Sequence, residues 1–368
     1  MRTVDGGGVV SCSTVEIIAE AGVNHNGKLD TALELVNVAV NAGADSIKFQ
    51  TFSAKDLVSP VAPLADYQQR SGQQGNQLTM LQALELQPGD FVEIASYCRQ
   101  QQIEFLSSPF DVTSLSFLVN DLGVKRIKIA SGEITNGPLL LAAAQHRCPV
   151  IVSTGMATLQ EIEQALAVLT FGYHFSNAPK NLQECMEAFA DEKSRAVLQD
   201  KVTLLHCTSQ YPAPYNQLNL RAMNAMAERW QLPVGYSDHS DGITVPVVAT
   251  ALGAWAIEKH LTTDKNLPGP DHRASLTGEE FAAMVAAVRA AQASLGTADK
   301  QPQACEQNTA QVARKSVVAL TEIQCGEVFT DTNIICQRPA AGISPMHYWA
   351  LLQQPARNHY KAGDLIRE

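Results

Sequence analysis

The sequence predicts an α/β protein: a (β/α)8 TIM barrel followed by a small, loop-rich C-terminal domain. Three observations predict it. A short apolar run, a polar cluster and a helix-period segment recur eight times between residues 14 and 296. The segments between runs are long enough for the crossovers that parallel strands require, since a tight hairpin cannot return the chain in the same direction. Beyond residue 296 the composition turns polar, and the remaining residues are too few for a second large core.

The eight runs are EIIAEAG (16–22), SIKFQTF (46–52), IEFLSSPF (103–110), RIKIASG (126–132), VIVSTG (150–155), VTLLHCTS (202–209), VGYSDH (234–239) and AIEKHL (256–261). They are rich in Ile and Val and mostly bounded by Gly or Pro, as buried parallel strands should be. Between them lie helix-period segments. LDTALELVNVAVNAGAD puts Leu29, Leu33, Val36 and Val40 on one stripe and Gly43 at its C-terminal stop. GDFVEIASYCRQQ, TLQEIEQALAVL, LNLRAMNAMAERW and GEEFAAMVAAVRAAQASLG follow the same period. Eight units over this length match a closed barrel. An open doubly wound sheet is the alternative, but the number of units and the lack of G-x-G-x-x-G after the first run favour closure. Two stretches break the rhythm, a Gln-rich connection over 59–86 and a long link over 171–201, and connections of that length are expected to be lids or insertions with their own helices. The expected organisation is an N-terminal extension (1–13), the barrel (14–296), a linker (297–310) and the small domain (311–368).

Composition narrows the function. A net charge of −10 argues against nucleic-acid and anionic-membrane partners, so an anionic substrate must be held by local cations. No apolar run approaches a membrane span, and MRTVDGGGVVSCST lacks the apolar core of a secretory signal. The eight cysteines are scattered without a C-x-x-C pair, as expected for reduced thiols in a cytoplasmic protein, and Cys207 reads as a small core hydrophobe.

In such a barrel, catalytic groups sit where strands end. Here the runs finish on Glu20, with Asn24 and His25 beyond it; Lys48 and Gln50; Ser107 and Ser108; Lys128, Ser131 and Glu133; Ser153 and Thr154; His206, Thr208 and Ser209; Ser237, Asp238 and His239; and Glu258, Lys259 and His260. A charge inside a buried strand costs several kcal/mol unless it is paired or used, so salt bridges closing the barrel mouth are the bland alternative. Lys48, Lys128, Ser131, Ser153 and Ser237 together suit a phosphate: two cations for the charge, hydroxyls for the oxygens. No Walker-type glycine loop is present, so a nucleotide is not indicated. His239 and His260 end neighbouring strands, either as ligands of a divalent metal with open positions or as a base and a hydrogen-bond donor. Asp271 lies in LPGPDHRAS, stiffened by Pro268 and Pro270, where it either grips a sugar hydroxyl or caps a turn.

At this point the residues resemble a known family. IIAEAGVNHNG, GADSIKFQTF, FLSSPFD, KIASGE, STGMAT, LLHCTSQYPAPY, GYSDHS, IEKHLT and PGPDH are similar to the N-acetylneuraminate (sialic acid) synthases, closest to the bacterial sialic and legionaminic acid synthases and less close to the pseudaminic acid synthases. RKSVVA and QRPAAGISP resemble that family's C-terminal domain, an antifreeze-like fold of β-clip type. The resemblance implies a cytoplasmic nonulosonic acid synthase. It implies condensation of phosphoenolpyruvate with N-acetylmannosamine, or its 2,4-diacetamido-6-deoxy analogue, and water, releasing phosphate. It places Mn2+ (Mg2+ or Co2+ as alternatives) on His239 and His260. Phosphoenolpyruvate falls to Lys48, Ser108, Lys128, Ser131, Ser153 and Ser237. The amino sugar falls to Glu20, Gln50, Tyr211 and Asp271, with Ser209 where some members carry an amide, and with Arg338 from the partner of a domain-swapped homodimer. Carbon 3 of phosphoenolpyruvate attacks the aldehyde, water adds at carbon 2, and phosphate leaves with C–O cleavage. Glu20, Glu133 and Glu258 are the expected catalytic carboxylates, and structural roles are expected of His25 and His206.

Two other functions compete. A related phosphoenolpyruvate aldol synthase acting on a sugar phosphate would want a second cationic cluster, and the rim offers only Lys259 and Arg273. A non-catalytic carbohydrate- or ice-binding protein would need neither the lysines nor the histidines.

Overall fold

A computed structural model describes residues 14–59, 61–62 and 76–367. The N-terminal extension (1–13) and the part of the Gln-rich connection over 63–75 lie outside the described residues. The chain divides into two compact units after Gly296.

In the first unit, β1 (Glu16–Gly22), β2 (Ser46–Thr51), β3 (Glu104–Pro109), β4 (Ile127–Ile129), β5 (Val150–Ser153), β6 (Val202–Cys207), β7 (Val234–Asp238) and β8 (Ala256–His260) form one sheet in the order β3-β2-β1-β8-β7-β6-β5-β4. Every ladder is parallel. Because β1 pairs with both β2 and β8, the first and last strands meet, which excludes an open doubly wound sheet. β3 and β4 lie side by side without a ladder, and β4 is only three residues long. The fold is a (β/α)8 barrel.

Strand alternation sorts the side chains into two apolar clusters. Ile17, Ala19, Ile47, Phe49, Val152, Leu204 and Ile257 pack outward beneath the helices. Ile18, Leu106, Ile151, Leu205 and Ala256 form a separate plug inside the barrel. Two residues back along the same inward-facing rows, Arg126 pairs with Glu16 (Nη1 to Oε2, 2.9 Å) and with Glu104 (Nη2 to Oε2, 2.8 Å). Two residues forward stand Glu20, Lys48, Ser108, Ser153, Cys207 and Glu258, all buried. An apolar plug thus separates an ionic floor from a polar mouth.

Capping fixes where the crossover helices begin. Thr158 and Glu161 cap each other's backbone at the start of Leu159–His174, and Thr277 and Glu280 do so for Gly278–Leu295, each cap contributing about 1 kcal/mol. Leu29–Asn41 is helical and ends before Gly43 at φ +80°, but its buried line is Ala32, Leu35, Val36 and Ala39. The expected stripe is rotated because small alanines allow close approach to the sheet, leaving Leu29, Leu33 and Val40 half-buried at the edges. The long 171–201 link carries helices of its own: Leu159–His174 ends inside it, and Leu182–Ala190, Glu192–Arg195 and Val197–Lys201 follow.

The second unit is small. β9 (Ser316–Ala319) and β10 (Ile334–Gln337) pair antiparallel, and isolated bridges such as Ile323 with Tyr360 complete it over a core of Val317, Ile323, Phe329, Ile334, Tyr360 and Ile366. Among the described residues no helix is long and apolar enough to cross a membrane, and Cys98, Cys148, Cys185, Cys207, Cys305, Cys325 and Cys336 are free thiols.

Candidate active site

The register places the charged residues at one height: Glu20 lies opposite Lys48 on β2 and opposite His260 on β8. Lys48 Nζ sits 2.7 Å from Glu20 Oε2 and 3.0 Å from Glu258 Oε2. Glu258 Oε1 accepts from Ser237 Oγ at 2.7 Å and lies 3.6 Å from Lys128 Nζ. Burial opposes the charge on Glu258, yet Lys128, Lys48 and Ser237 hold its carboxyl well below the usual range. For Lys48 burial wins: together with repulsion from Lys128 it brings the ammonium down to about 7, against the pull of Glu258. Lys48 also stands between two carboxylates, Glu20 and Glu258, so its lowering is an effect of burial, with Lys128 competing for Glu258. Both Glu20 oxygens are buried without an aligned hydrogen bond, so the contact with Lys48 is ionic only and leaves acceptor capacity.

Opposite Glu20 the hydroxyls gather. Lys128 Nζ donates to Ser153 Oγ at 2.7 Å, and Gly155 N donates to Ser131 Oγ at 3.1 Å. Ser108 Oγ is buried with no hydrogen-bond partner among the described residues. A methyl on Gly155 would lie 2.3 Å from Ser209 Oγ, 2.8 Å from Ser131 Oγ and 2.9 Å from Cys207 Sγ. The bare Cα of Gly155 therefore lets three polar side chains converge, which is what an anion needs from a cradle. Ser209, assigned to the sugar by resemblance, stands beside Ser131 on this side.

Gly22 plays the same part across the mouth. At φ +55° its bare Cα faces Glu20, Gln50 and Asp271, whose Oε1, Nε2 and Oδ2 would lie 3.1, 3.6 and 3.7 Å from a methyl there. The structure thus brings together three residues assigned to one sugar. Burial raises the Asp271 carboxyl to about 6, with His239 pulling the other way. The Asp271 loop is fixed by Ser275 Oγ donating to Asp271 O (2.7 Å) and by Asn24 Nδ2 donating to Ser275 Oγ (2.9 Å) and Leu261 O (2.8 Å).

His239 and His260 lie together with ring centroids 5.4 Å apart. Two imidazoles bound to one ion at about 2.1 Å in a roughly tetrahedral arrangement hold their centroids about 5 Å apart, so the pair fits a shared divalent metal. His239 Nδ1 lies 2.8 Å from Thr208 O and must donate to it, which leaves Nε2 as the lone-pair nitrogen. Burial, His239 and Lys48 lower the pKa of His260 well below its ordinary value, keeping it neutral as a ligand must be. Among the described residues no group of three or more His, Cys, Asp or Glu side chains could hold a metal alone. Two imidazoles would leave positions open to substrate and water.

Other expectations land elsewhere. Glu133 is half-buried, just past Ser131, and accepts from Asn136 Nδ2 at 2.6 Å. Arg338 belongs to the second unit, is exposed, and donates Nε to Ala313 O. Lys259 is not a rim cation: it points behind the sheet, 1% exposed at its side chain, and pairs with Asp238 at 2.6 Å. Cys207 is buried, but it faces the mouth, 3.6 Å from Ser131 Oγ and 3.7 Å from His239 Nδ1. Strand alternation carries the signal for both, since Lys259 lies between inward Glu258 and His260, and Cys207 follows inward Leu205. His206 is held against Leu218 O at 2.8 Å, and His25, lowered to about 4 by burial, accepts from Gly27 N. Gly22 and Gly155 were missed, because a glycine at a strand end looks like any other turn.

Comparison with known proteins finds relatives over nearly the whole chain. The chain is 44% identical over 353 residues to the N,N'-diacetyllegionaminic acid synthase of Campylobacter jejuni, covering 96% of this chain and 98% of that protein. It is 43% identical over 336 residues to the N,N'-diacetyllegionaminic acid synthase of Legionella pneumophila, covering 91% and 88%. Its fold is similar to the crystal structure of an N-acetylneuraminic acid (sialic acid) synthetase from Leptospira borgpetersenii, with TM-score 0.67 and 32% identity over 83% of this chain and 94% of that one. The NeuB family model matches residues 35–300, which hold β2 to β8 with both lysines of the cradle, Asp271 and the histidine pair, and at that extent the chain belongs to the NeuB family.

Proposed function

We propose that this enzyme condenses phosphoenolpyruvate with an N-acetylated amino-sugar aldehyde and water, giving a nonulosonate and phosphate. The 2,4-diacetamido-6-deoxy aldehyde is the preferred acceptor and N-acetylmannosamine the secondary one, on the strength of the two legionaminic acid synthase relatives. The observation that carries the reading is the juxtaposition of a two-lysine, serine-lined cradle with a carboxylate-rich pocket at Gly22 and a histidine pair at the same mouth. A sugar phosphate is disfavoured as acceptor, because Lys259 is committed behind the sheet and Arg273 alone does not make the second cationic cluster it would want.

In this reading Lys48 and Lys128 neutralise phosphoenolpyruvate while Ser108, Ser131, Ser153 and Ser237 bind its oxygens. His239 and His260 would hold the metal, Mn2+ or else Mg2+ or Co2+, which when bound supplies Lewis acidity toward the aldehyde oxygen. Glu20, Gln50 and Asp271 orient the acceptor so that its carbonyl carbon meets carbon 3 of phosphoenolpyruvate. Glu20 and Glu258, buried beside that position, stabilise positive charge developing at carbon 2. Glu133, less buried than either, takes the proton from the water that adds there. Phosphate then leaves with the bridging oxygen as the C–O bond breaks. The reading extends to a cytoplasmic homodimer in which an antifreeze-like small domain brings Arg338 to the N-acetyl group bound by the partner subunit.

The test is phosphate release with Mn2+, phosphoenolpyruvate and a panel of aldehydes: N-acetylmannosamine, its 2,4-diacetamido-6-deoxy counterpart, and the altrose isomer. Turnover is expected, fastest with the diacetamido mannose-type sugar. Silence on the whole panel would overturn the proposal.

A further inference from the structure

The two histidines are not held alike. His239 has a hydrogen bond to fix its ring, from Nδ1 to Thr208 O at 2.8 Å. Among the described residues no hydrogen bond fixes the His260 ring, although a ligating imidazole ordinarily has its second nitrogen held by an outer partner. What holds His260 is packing. Tyr211 meets it edge-on, with ring centroids 5.6 Å apart and planes at 88°, and also leans against His239 at 4.2 Å and 35°.

All of these contacts come from one loop. Residues 208–213 follow β6 and supply Thr208 O to the His239 ring, the Tyr211 ring to both imidazoles, and Ala213 N to His239 O at 2.8 Å. Thr208 O also accepts from Gln210 N at 2.9 Å, which tightens the turn that aims Tyr211 inward. We infer that Tyr211 is a positioning residue for the metal pair: its aromatic ring clamps His239 and His260 in a metal-ready arrangement, with the loop after β6 as the support. This role belongs to the ring and is separate from any contact its hydroxyl makes with a sugar. It rests on the reading of His239 and His260 as metal ligands.

Ring and hydroxyl can be separated. Isothermal titration of Mn2+ into the metal-free full-length protein is compared for wild type, Tyr211→Phe and Tyr211→Ala, with phosphoenolpyruvate affinity and the circular dichroism spectrum as controls for an intact barrel. Loss of an outer-shell support lowers metal affinity about 10- to 100-fold. That loss is expected for Tyr211→Ala, while Tyr211→Phe stays within about threefold of wild type and phosphoenolpyruvate binding is unchanged in both. Wild-type affinity in Tyr211→Ala would overturn the clamp, as would equal losses in the Phe and Ala variants, which would assign the effect to the hydroxyl. Failure of wild type to bind Mn2+ would instead remove the metal reading on which the clamp depends. If Tyr211→Ala unfolds, Tyr211→Leu fills the same space without a planar ring, and retained metal affinity there likewise refutes the inference.

Discussion

Lys48 makes the anion site sensitive to pH. In the free protein burial and Lys128 bring its ammonium down to about 7. A bound phosphoenolpyruvate adds negative charge beside it and returns it toward the ordinary lysine value of about 10.4. The free state carries the lowered pKa, so the complex is the state that holds the extra proton. Affinity is therefore full below about pH 7 and is lost as pH rises through it. At pH 8 a group with pKa about 7 is roughly nine-tenths neutral, so binding takes up about 0.9 proton. The same linkage weakens binding about fivefold from pH 7 to 8 and about tenfold again by pH 9. Calorimetric titration of phosphoenolpyruvate in buffers of different ionisation heat reads the proton directly. The range lies above the phosphate's own second pKa of about 6. Lys48→Arg, charged throughout, should bind with a flat profile. No proton uptake and pH-independent affinity in the wild type would refute the reasoning.

Three further outcomes follow from other parts of the site. Gly155→Ala drives a methyl into Ser131, Ser209 and Cys207 and should weaken phosphoenolpyruvate binding by about 5- to 150-fold, since overpacking costs about 1–3 kcal/mol; calorimetry on a folded variant checks it. Lys259→Met strands Asp238 in the core and should lower stability in urea by about 3–5 kcal/mol, partly recovered by adding Asp238→Asn. Glu133→Gln should slow phosphate release about 100-fold or more if that carboxylate handles the water proton, and near-normal release would remove it from the role.

The barrel was legible because its strands are buried on both faces and announce themselves as apolar runs, while the glycines and prolines between them mark the turns. Boundaries shifted by a residue or two, most at β4, where the RIKIASG run yields a strand of three residues. The anion-binding residues were legible for an energetic reason: Lys48 and Lys128 have no cheap explanation inside a strand. What the sequence hid was direction. Lys259 and Cys207 sit one residue from inward and outward neighbours, and only strict alternation tells which way each points. The ionic floor of Glu16, Glu104 and Arg126 joins three strands far apart in sequence, so no local pattern announces it. The cradles at Gly22 and Gly155 are defined by an absent side chain, and an absence has no periodicity. The helices within the 171–201 segment are short, so the sequence does not mark where each begins and ends.

The account centres on the mouth joining phosphoenolpyruvate to an aldehyde with breakage of the C–O bond. Phosphoenolpyruvate labelled with 18O at the bridging oxygen tests it most directly, with the 2,4-diacetamido-6-deoxy aldehyde, Mn2+ and mass analysis of both products. The account predicts the label wholly in phosphate and a sugar acid whose mass is that of the aldehyde plus pyruvic acid. Label retained in the organic product, or pyruvate and phosphate formed without a sugar acid, would contradict it.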